Sequence, residues 1–159
     1  MGTRSLTIVR DENGTDILTL YRQYDGYPEG HGKELTTFLR PFDVTQGIRS
    51  YEAPYQANGA GCLAAQIVAH FKRRTPKTKR SPAQGPQGNF YIYPNGVKDV
   101  GEEYVYIVTA RLGSPDVMVC DETWKPIVQG SPANVRAWIV KQQRKQVARK
   151  AAQTRKEKR

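Results

Sequence analysis

The chain has 159 residues, 38% of them hydrophobic, with 25 Lys or Arg against 15 Asp or Glu. This length fits one domain with a buried core, and the hydrophobic content is higher than in disordered chains. No apolar run reaches the roughly 18 residues of a membrane span, and no signal-peptide h-region opens the chain. Cys62 and Cys120 lie far apart, which argues against zinc or a disulfide framework and favours a cytoplasmic setting.

The positive charge is concentrated in two segments. Residues 141–159 hold nine bases and one acid, and residues 72–80 hold six bases and no acid. The remainder has ten bases against fourteen acids, so it is mildly acidic. We therefore expect a compact domain at residues 1–140, with an exposed basic loop at 73–88 and a helical or disordered basic tail at 141–159.

The first half of the chain predicts a hairpin and two helices. Residues 3–10 and 17–23 are β-rich and enclose an Asn-Gly turn dipeptide. A short helix ending before Pro41 is indicated by helical spacing of Leu35, Phe38 and Leu39. Asn58 is expected to cap the second helix. The buried side of that helix is expected to carry Leu63, Ile67 and Phe71.

The second half predicts three strands and a last helix. The strands are expected at residues 90–93, 104–112 and 116–120. Ser131 followed by Pro132 is a strong helix start signal. The apolar stripe of this helix consists of Val135, Trp138 and Ile139. The order ββααβββα predicts an α+β fold: one antiparallel sheet of about five strands, helices on one face, and a basic C-terminal helix.

Four segments carry a resemblance to known sequences. They are MGTRSLT at residues 1–7, LYRQYDGYPEGHG at 20–32, NGAGCLAAQ at 58–66 and EEYVY at 102–106. Together they resemble a group of uncharacterised small proteins of bacteriophages and bacterial genomes. The resemblance covers roughly residues 1–110 and implies a phage or bacterial setting, without an activity.

The basic segments predict binding to nucleic acid, either RNA or DNA, or to a nucleoprotein complex. Several cations on one helix can lie along a phosphate backbone and release its counterions. The tail lacks Asn and aromatic residues, which predicts little sequence preference. It also lacks Trp, Phe and Leu, which disfavours a membrane surface. The residues expected to contact phosphate are Lys141, Arg144, Lys145, Arg149, Lys150, Arg155 and Lys156 in the tail, with Arg73, Arg74, Lys77, Lys79 and Arg80 in the loop. The alternative is a solvated helix that only aids solubility.

A second hypothesis is a small-ligand site of the nucleotide type in the body. The candidate residues are Tyr21, Arg22, Asp25, His31, Asn58, Gln66 and Tyr104. The Gly-rich segment after Asn58 opens a helix whose amides could face a phosphate, although no P-loop or Rossmann pattern is completed. Strand parity also predicts that five tyrosines share one sheet face if the strands are neighbours, where they either stack bases or pack against one another.

Catalysis is the weakest hypothesis. Cys62 near a helix N-terminus could pair with His31 or His70 as a thiolate, but a buried structural cysteine is the commoner arrangement. No metal-ligand spacing is present in the sequence, and no cofactor is predicted. We therefore expect a non-enzymatic accessory protein.

Overall fold

The computed structural model describes residues 2–47, 55–73 and 89–157, with side chains as far as residue 154. In this part of the chain six strands form one sheet in the order β5-β2-β1-β6-β7-β8. Their bounds are Ser5–Arg10 (β1), Asp16–Arg22 (β2), Phe90–Tyr93 (β5), Tyr104–Thr109 (β6), Asp116–Asp121 (β7) and Pro126–Gly130 (β8). A parallel pair, Asp43–Thr45 (β3) with Gln56–Asn58 (β4), stands apart from this sheet.

The N-terminal hairpin is confirmed. The turn between β1 and β2 contains Gly14 at φ 87°, a conformation that costs glycine little. The carboxylate of Asp11 accepts hydrogen bonds from the backbone N–H groups of Asn13 (2.9 Å) and Thr15 (2.8 Å). An ion pair between Arg10 and Asp16 closes the strand ends. Local turn chemistry therefore accounts for this part of the fold.

The sheet is mixed, so the prediction of an all-antiparallel sheet of about five strands is wrong in detail. β1 pairs with β6 in parallel, from Ser5 opposite Tyr104 to Arg10 opposite Thr109. The chain reaches β6 from the outer strand β5, and residues 94–103 return it to the starting end of β1. β8 was also missed, because Pro126 and Gly130 weaken the strand pattern; a proline is tolerated at the first residue of an edge strand.

In the described residues, three helices pack on one face of the sheet, as expected for the α+β class. They are Lys33–Leu39 (α1), Gly59–Lys72 (α2) and Pro132–Glu157 (α3), with a π-helical turn at Pro28–Gly32 before α1. The main core lies between these helices and the sheet; its largest members include Leu20, Leu35, Leu63, Ile67, Phe71, Phe90, Tyr106 and Ile139. Asn58 occupies the residue before α2, but its side chain accepts a hydrogen bond from the N–H of Gly47 (3.0 Å) and does not cap the helix.

A smaller core covers the opposite face. It consists of Leu6, Ile8, Tyr21, Val105, Ile107 and Cys120, with Val100 and Trp124 packed on it from loops. The buried carboxylate of Glu102 ties these loops together. It accepts hydrogen bonds from the N–H of Val100 (2.9 Å) and from the indole of Trp124 (3.3 Å). The connection from β5 to β6 thus supplies the cover for this face.

The tyrosines divide between the two faces, so the prediction that five share one face is wrong. Tyr21 stacks on Tyr93 (ring centroids 5.0 Å apart) and lies 6.1 Å from Tyr91, on the face opposite the helices. Tyr104 and Tyr106 pack in the main core instead. The alternation of residues along one strand shows which of its own side chains share a face. It does not show which face of the sheet they share with another strand, because that depends on strand order and pairing register.

Candidate nucleic-acid interface

The first half of α3 belongs to the body. The hydroxyl of Ser131 accepts a hydrogen bond from the N–H of Asn134 (3.4 Å), which confirms the start signal. Val135 and Ile139 are fully buried. The guanidinium of Arg136 donates from Nε to the hydroxyl of Thr37 in α1 (3.0 Å). These contacts hold the helix against α1 and the sheet up to about Val140.

The second half of α3 leaves the body. From Arg144 to Thr154 every side chain is exposed, and Val147 is 63% exposed. The 17 residues from Lys141 to Glu157 span about 25 Å of helix at 1.5 Å per residue. We call residues 141–157 the arm. An arm of this length presents a cylinder of side chains to solvent beyond the last core contact.

Most of the bases in the described part of the arm share one side of the helix. Lys141, Arg144, Lys145 and Arg149 follow one another at intervals of three, one and four residues, which places them within an arc of roughly 140°. Gln142 and Gln143, which follow the buried stripe of the first half, are half-buried. Lys150 lies away from the basic side. The arm is therefore polar all round, with four of its five described bases on one side.

These cations have no acidic partners in the described part of the protein. The ion pairs found there join Arg10 to Asp16 and Arg22 to Glu34, both within the body, and Nε2 of His70 lies 4.0 Å from Glu34. The first acid in α3 is Glu157, near the end of the helix. Cations near a helix C-terminus also interact favourably with the helix dipole. The arm is thus a located, unneutralised positive surface.

Of the basic loop, only the first residue can be placed. Arg73 follows α2 and is exposed. Arg74, Lys77, Lys79 and Arg80 lie outside the described residues. So do the side chains of Arg155 and Lys156 in the arm.

The structure separates the seven residues of the ligand hypothesis. Arg22 and His31 are buried together between the sheet and the helices, and Tyr104 is half-buried on the same side. Tyr21 faces the opposite side, and Asp25 is exposed. Of the remaining two, Asn58 ends β4 and Gln66 lies in α2. Gln66 donates to the backbone oxygen of Gln56 (2.8 Å), so its amide braces β4 against α2.

The group around His31 is a buried hydrogen-bonded network. The Nη1 atom of Arg22 lies 2.9 Å from Nδ1 of His31 and donates to Glu34 (3.0 Å). Because a guanidinium has only donors, His31 accepts at Nδ1, and its Nε2–H donates to the hydroxyl of Thr7 (2.6 Å). Thr7 and Glu34 were not predicted as members. The alternation of side chains along β1, which places Thr7 on the same face as Val9, was the sequence pattern that could have predicted its burial.

Burial governs the protonation of this network. Desolvation, followed by the charges of Arg22 and His70, holds the pKa of His31 well below its ordinary value. His31 is therefore neutral, in keeping with its role as acceptor from Arg22. It also packs against the rings of Phe71 (4.9 Å) and Tyr106 (5.0 Å). These contacts make the Arg22–His31 pair a cross-link between β2 and the π-helical turn.

Two glycines in and just before this turn, Gly26 and Gly32, are required by close packing. A Cβ at Gly26 would lie 2.7 Å from the carbonyl carbon of Arg4, and one at Gly32 would lie 3.0 Å from the ring of Tyr106. The backbone oxygen of Gly26 accepts the hydroxyl of Tyr106 (2.8 Å). The glycines of residues 26–32 therefore allow the backbone of this segment to pack closely against the sheet.

The environment of the α2 N-terminus is acidic. A depression of about 230 Å³ there is lined by Gly59 and Ala60, together with Asp11 and Glu12 of the first hairpin. Two carboxylates beside the helix start oppose an anion such as phosphate. The negative charges of Asp11 and Glu12 therefore disfavour the phosphate site that the sequence predicted after Asn58.

The thiol of Cys62 is engaged by a neighbour. It accepts a hydrogen bond from the amide of Gln66 (3.3 Å). His31 is bound within the network described above, and the ring of His70 stacks on Phe38 at 4.0 Å. In the described residues, therefore, neither histidine is arranged as a base for this thiol.

The helices offer no route through a bilayer: none in the described ranges is both long and apolar enough to cross one. Comparison of the chain with family models, with curated proteins and with solved structures finds no match.

Proposed function

We propose that the arm binds nucleic acid by neutralising phosphates, with little sequence preference. The observation that carries this proposal is the set of exposed bases on one side of α3, beyond its last core contact and without acidic partners among the described residues. Each phosphate contact releases counterions, so binding of this kind weakens steeply with salt. Arg73 and the bases that follow it in sequence would add to the same field.

The composition of the arm disfavours two other uses. A helix that lies in a membrane interface needs large apolar side chains on one side, and the arm offers only Val147 and alanines. A helix that only keeps the protein dispersed does not need its charges on one side. The arm has no aromatic group to stack on a base, so the contacts are with the backbone of RNA or DNA. The resemblance to phage and bacterial proteins suggests an accessory role in a nucleoprotein complex.

The test is a salt titration with fluorescein-labelled duplex DNA, single-stranded DNA and duplex RNA, followed by fluorescence anisotropy. With about five phosphates neutralised, the logarithm of affinity should fall against the logarithm of salt with a slope of about −4 to −5. Replacing three arm bases with glutamine (Arg144→Gln, Lys145→Gln, Arg149→Gln) should flatten the slope by about three units.

A matched variant controls for net charge. Arg40, Arg111 and Lys125 are exposed bases of the body. Replacing these three with glutamine lowers the net charge by the same amount and should leave the slope close to that of the natural protein. Equal slopes for the two triple variants would show that overall charge, and not the arm, drives binding. Absence of binding by the natural protein at about 50 mM salt would refute the proposal.

A further inference from the structure

A depression of about 390 Å³ lies at the start of β1, on the sheet face opposite the helices. It is lined by Gly2, Arg4, Tyr21, Gln23 and Tyr24. Its volume lies within the range of sites for small ligands. These five residues include one cation, one amide and two aromatic rings, and none of them is acidic. This combination is suited to a ligand that is both planar and anionic.

Arg4 is held in place by its surroundings. Its backbone oxygen accepts a hydrogen bond from the N–H of Glu103 (2.9 Å). Gly101 has φ +82°, and a Cβ there would lie 2.4 Å from Nη1 of Arg4, so the guanidinium passes directly over this glycine. Among the described residues, no carboxylate forms an ion pair with Arg4. A positioned guanidinium without an acidic partner has donors to offer to a phosphate.

Tyr21 forms a rigid wall beside Arg4. Its ring stacks on Tyr93 with the planes only 4° apart, and it is almost fully buried. Burial raises the pKa of Tyr21, while the adjacent guanidinium of Arg4 acts in the opposite direction, by its charge and by a hydrogen bond. The hydroxyl of Tyr21 therefore stays protonated at neutral pH and helps to orient the guanidinium.

Tyr24 supplies an exposed aromatic surface. Its ring lies over Gly2, where a Cβ would come within 2.3 Å of Cδ1 of the ring, yet 51% of the residue is exposed. Its backbone oxygen accepts a hydrogen bond from Nε of the buried Arg22 (2.6 Å). Nearby, the N–H of Gly26 donates to the oxygen of Thr3 (2.9 Å), which joins this segment to β1. The ring is thus anchored through its backbone and open on one side.

We propose that this depression binds a nucleoside monophosphate, or a nucleotide of the same chemistry at a chain end. Arg4 would hold the phosphate through paired N–H donors, and the open side of Tyr24 would stack on the base. The amide of Gln23 can both donate to and accept from the edge of the base. This site is separate from the arm, and it does not depend on the function proposed for the arm.

Two other depressions among the described residues differ from this one in charge. The two at the opposite ends of β1 and β6 are lined by Asp43 in one case and by Asp11 and Glu12 in the other. Their linings include no Lys or Arg, whereas the depression at Arg4 has a base and no acid. Compared with these two depressions, the one at the start of β1 is therefore the better match for a phosphorylated ligand.

The experiment is a titration of the ¹⁵N-labelled protein with AMP, GMP, CMP and UMP, followed by amide chemical shifts. Inorganic phosphate and adenosine serve as half-ligands. We expect at least one mononucleotide to bind about tenfold more tightly than either half-ligand, and to shift the amides of Arg4, Gln23 and Tyr24. Arg4→Gln and Tyr24→Ala should each weaken binding by about tenfold. Arg111→Gln and Tyr55→Ala, at exposed positions elsewhere, should leave it unchanged.

Each other outcome overturns the proposal. These outcomes are no saturable shifts with any of the four nucleotides, equal affinity for inorganic phosphate, or shifts confined to the arm. If Arg4→Gln unfolds the protein, Arg4→Lys keeps the charge but loses the paired donors, and an unchanged affinity would then count against the site. The triple arm variant should bind mononucleotides as the natural protein does, so failure of the arm proposal leaves this one standing.

Discussion

The two halves of α3 are stabilised in different ways. Residues 132–140 bury Val135 and Ile139 against the body, and Arg136 is bonded to α1. Residues 141–154 are helical without such burial: Val147 is exposed, and so are the side chains of Lys141, Arg144, Lys145, Arg149 and Lys150. Good helix formers and the extension of an already nucleated helix account for the second half. One continuous helix therefore has a half held by tertiary contacts and a half held by local propensity.

The same contrast applies to the basic residues. Arg22 in the body is buried and donates hydrogen bonds to His31, to Glu34 and to the backbone of Tyr24. Its guanidinium is therefore already paired within the protein. Lys141, Arg144 and Lys145 in the arm have no such partners among the described residues. Basic side chains that have no partner within the described residues are the ones available to bind another molecule.

The largest effect is expected from truncating a core side chain in the first half of α3. Ile139→Ala should lower the free energy of unfolding by about 3 kcal/mol, because the side chain is fully buried and leaves a cavity. Val147→Ala, in the arm of the same helix, should change it by less than about 0.5 kcal/mol. Urea unfolding of both variants measures the difference. Similar losses would mean that the arm packs on the body.

The next effect concerns the network around His31. Thr7→Val keeps the shape of the side chain but removes the acceptor of the Nε2–H of His31, leaving a buried donor unpaired. We expect a loss of about 1–3 kcal/mol in the free energy of unfolding. Thr109→Val, half-buried at the end of β6, is the control and should cost less than about 0.5 kcal/mol. Equal costs would show that the hydrogen bond contributes nothing.

The third effect is a dependence of stability on pH. Because the folded pKa of His31 is depressed, the unfolded chain binds more protons below pH 6.5, its ordinary value. Stability is fully present above that pH and falls as the pH drops toward the folded pKa, by about 1.4 kcal/mol per pH unit for His31. His70, whose pKa is lowered by burial and by Arg73, acts in the same direction.

Urea unfolding between pH 7 and pH 5 tests this dependence, above the range in which carboxylates titrate. Over this range the free energy of unfolding should fall once the pH drops below 6.5, with a slope of at most about 1.4 kcal/mol per pH unit from His31. A His31→Gln variant should be less stable at pH 7, but its stability should depend less on pH. If its slope against pH equals that of the natural protein, His31 is not the group responsible.

The smallest effect is expected from removing the arm altogether. Truncation after Val140 leaves Val135 and Ile139 in place, so the melting temperature should fall by no more than about 3 °C, corresponding to roughly 1 kcal/mol. Thermal unfolding followed by circular dichroism measures this. A drop of more than about 10 °C would show that the arm is part of the body.

Local patterns were sufficient for several elements. The Asn-Gly turn predicted the hairpin, and the spacing of apolar residues predicted α1 and α2. Ser131 and Pro132 predicted where α3 begins, and the run of bases after Val140 predicted where its burial ends. In each case the signal and the structure lie within a few residues of one another. Such features depend on turn chemistry, helix periodicity and solvation, which a sequence displays directly.

Other features depend on contacts between distant segments, and only the tertiary structure decided them. The parallel pairing of β1 with β6 joins residues about 100 positions apart, and it sets which tyrosines share a face. The same pairing, with the turn at Pro28–Gly32, buries Arg22 and His31 together. It also leaves Arg4 and Tyr24 lining one depression at the start of β1. A residue's type shows which partners it can accept, but the pairing register determines which partners it meets.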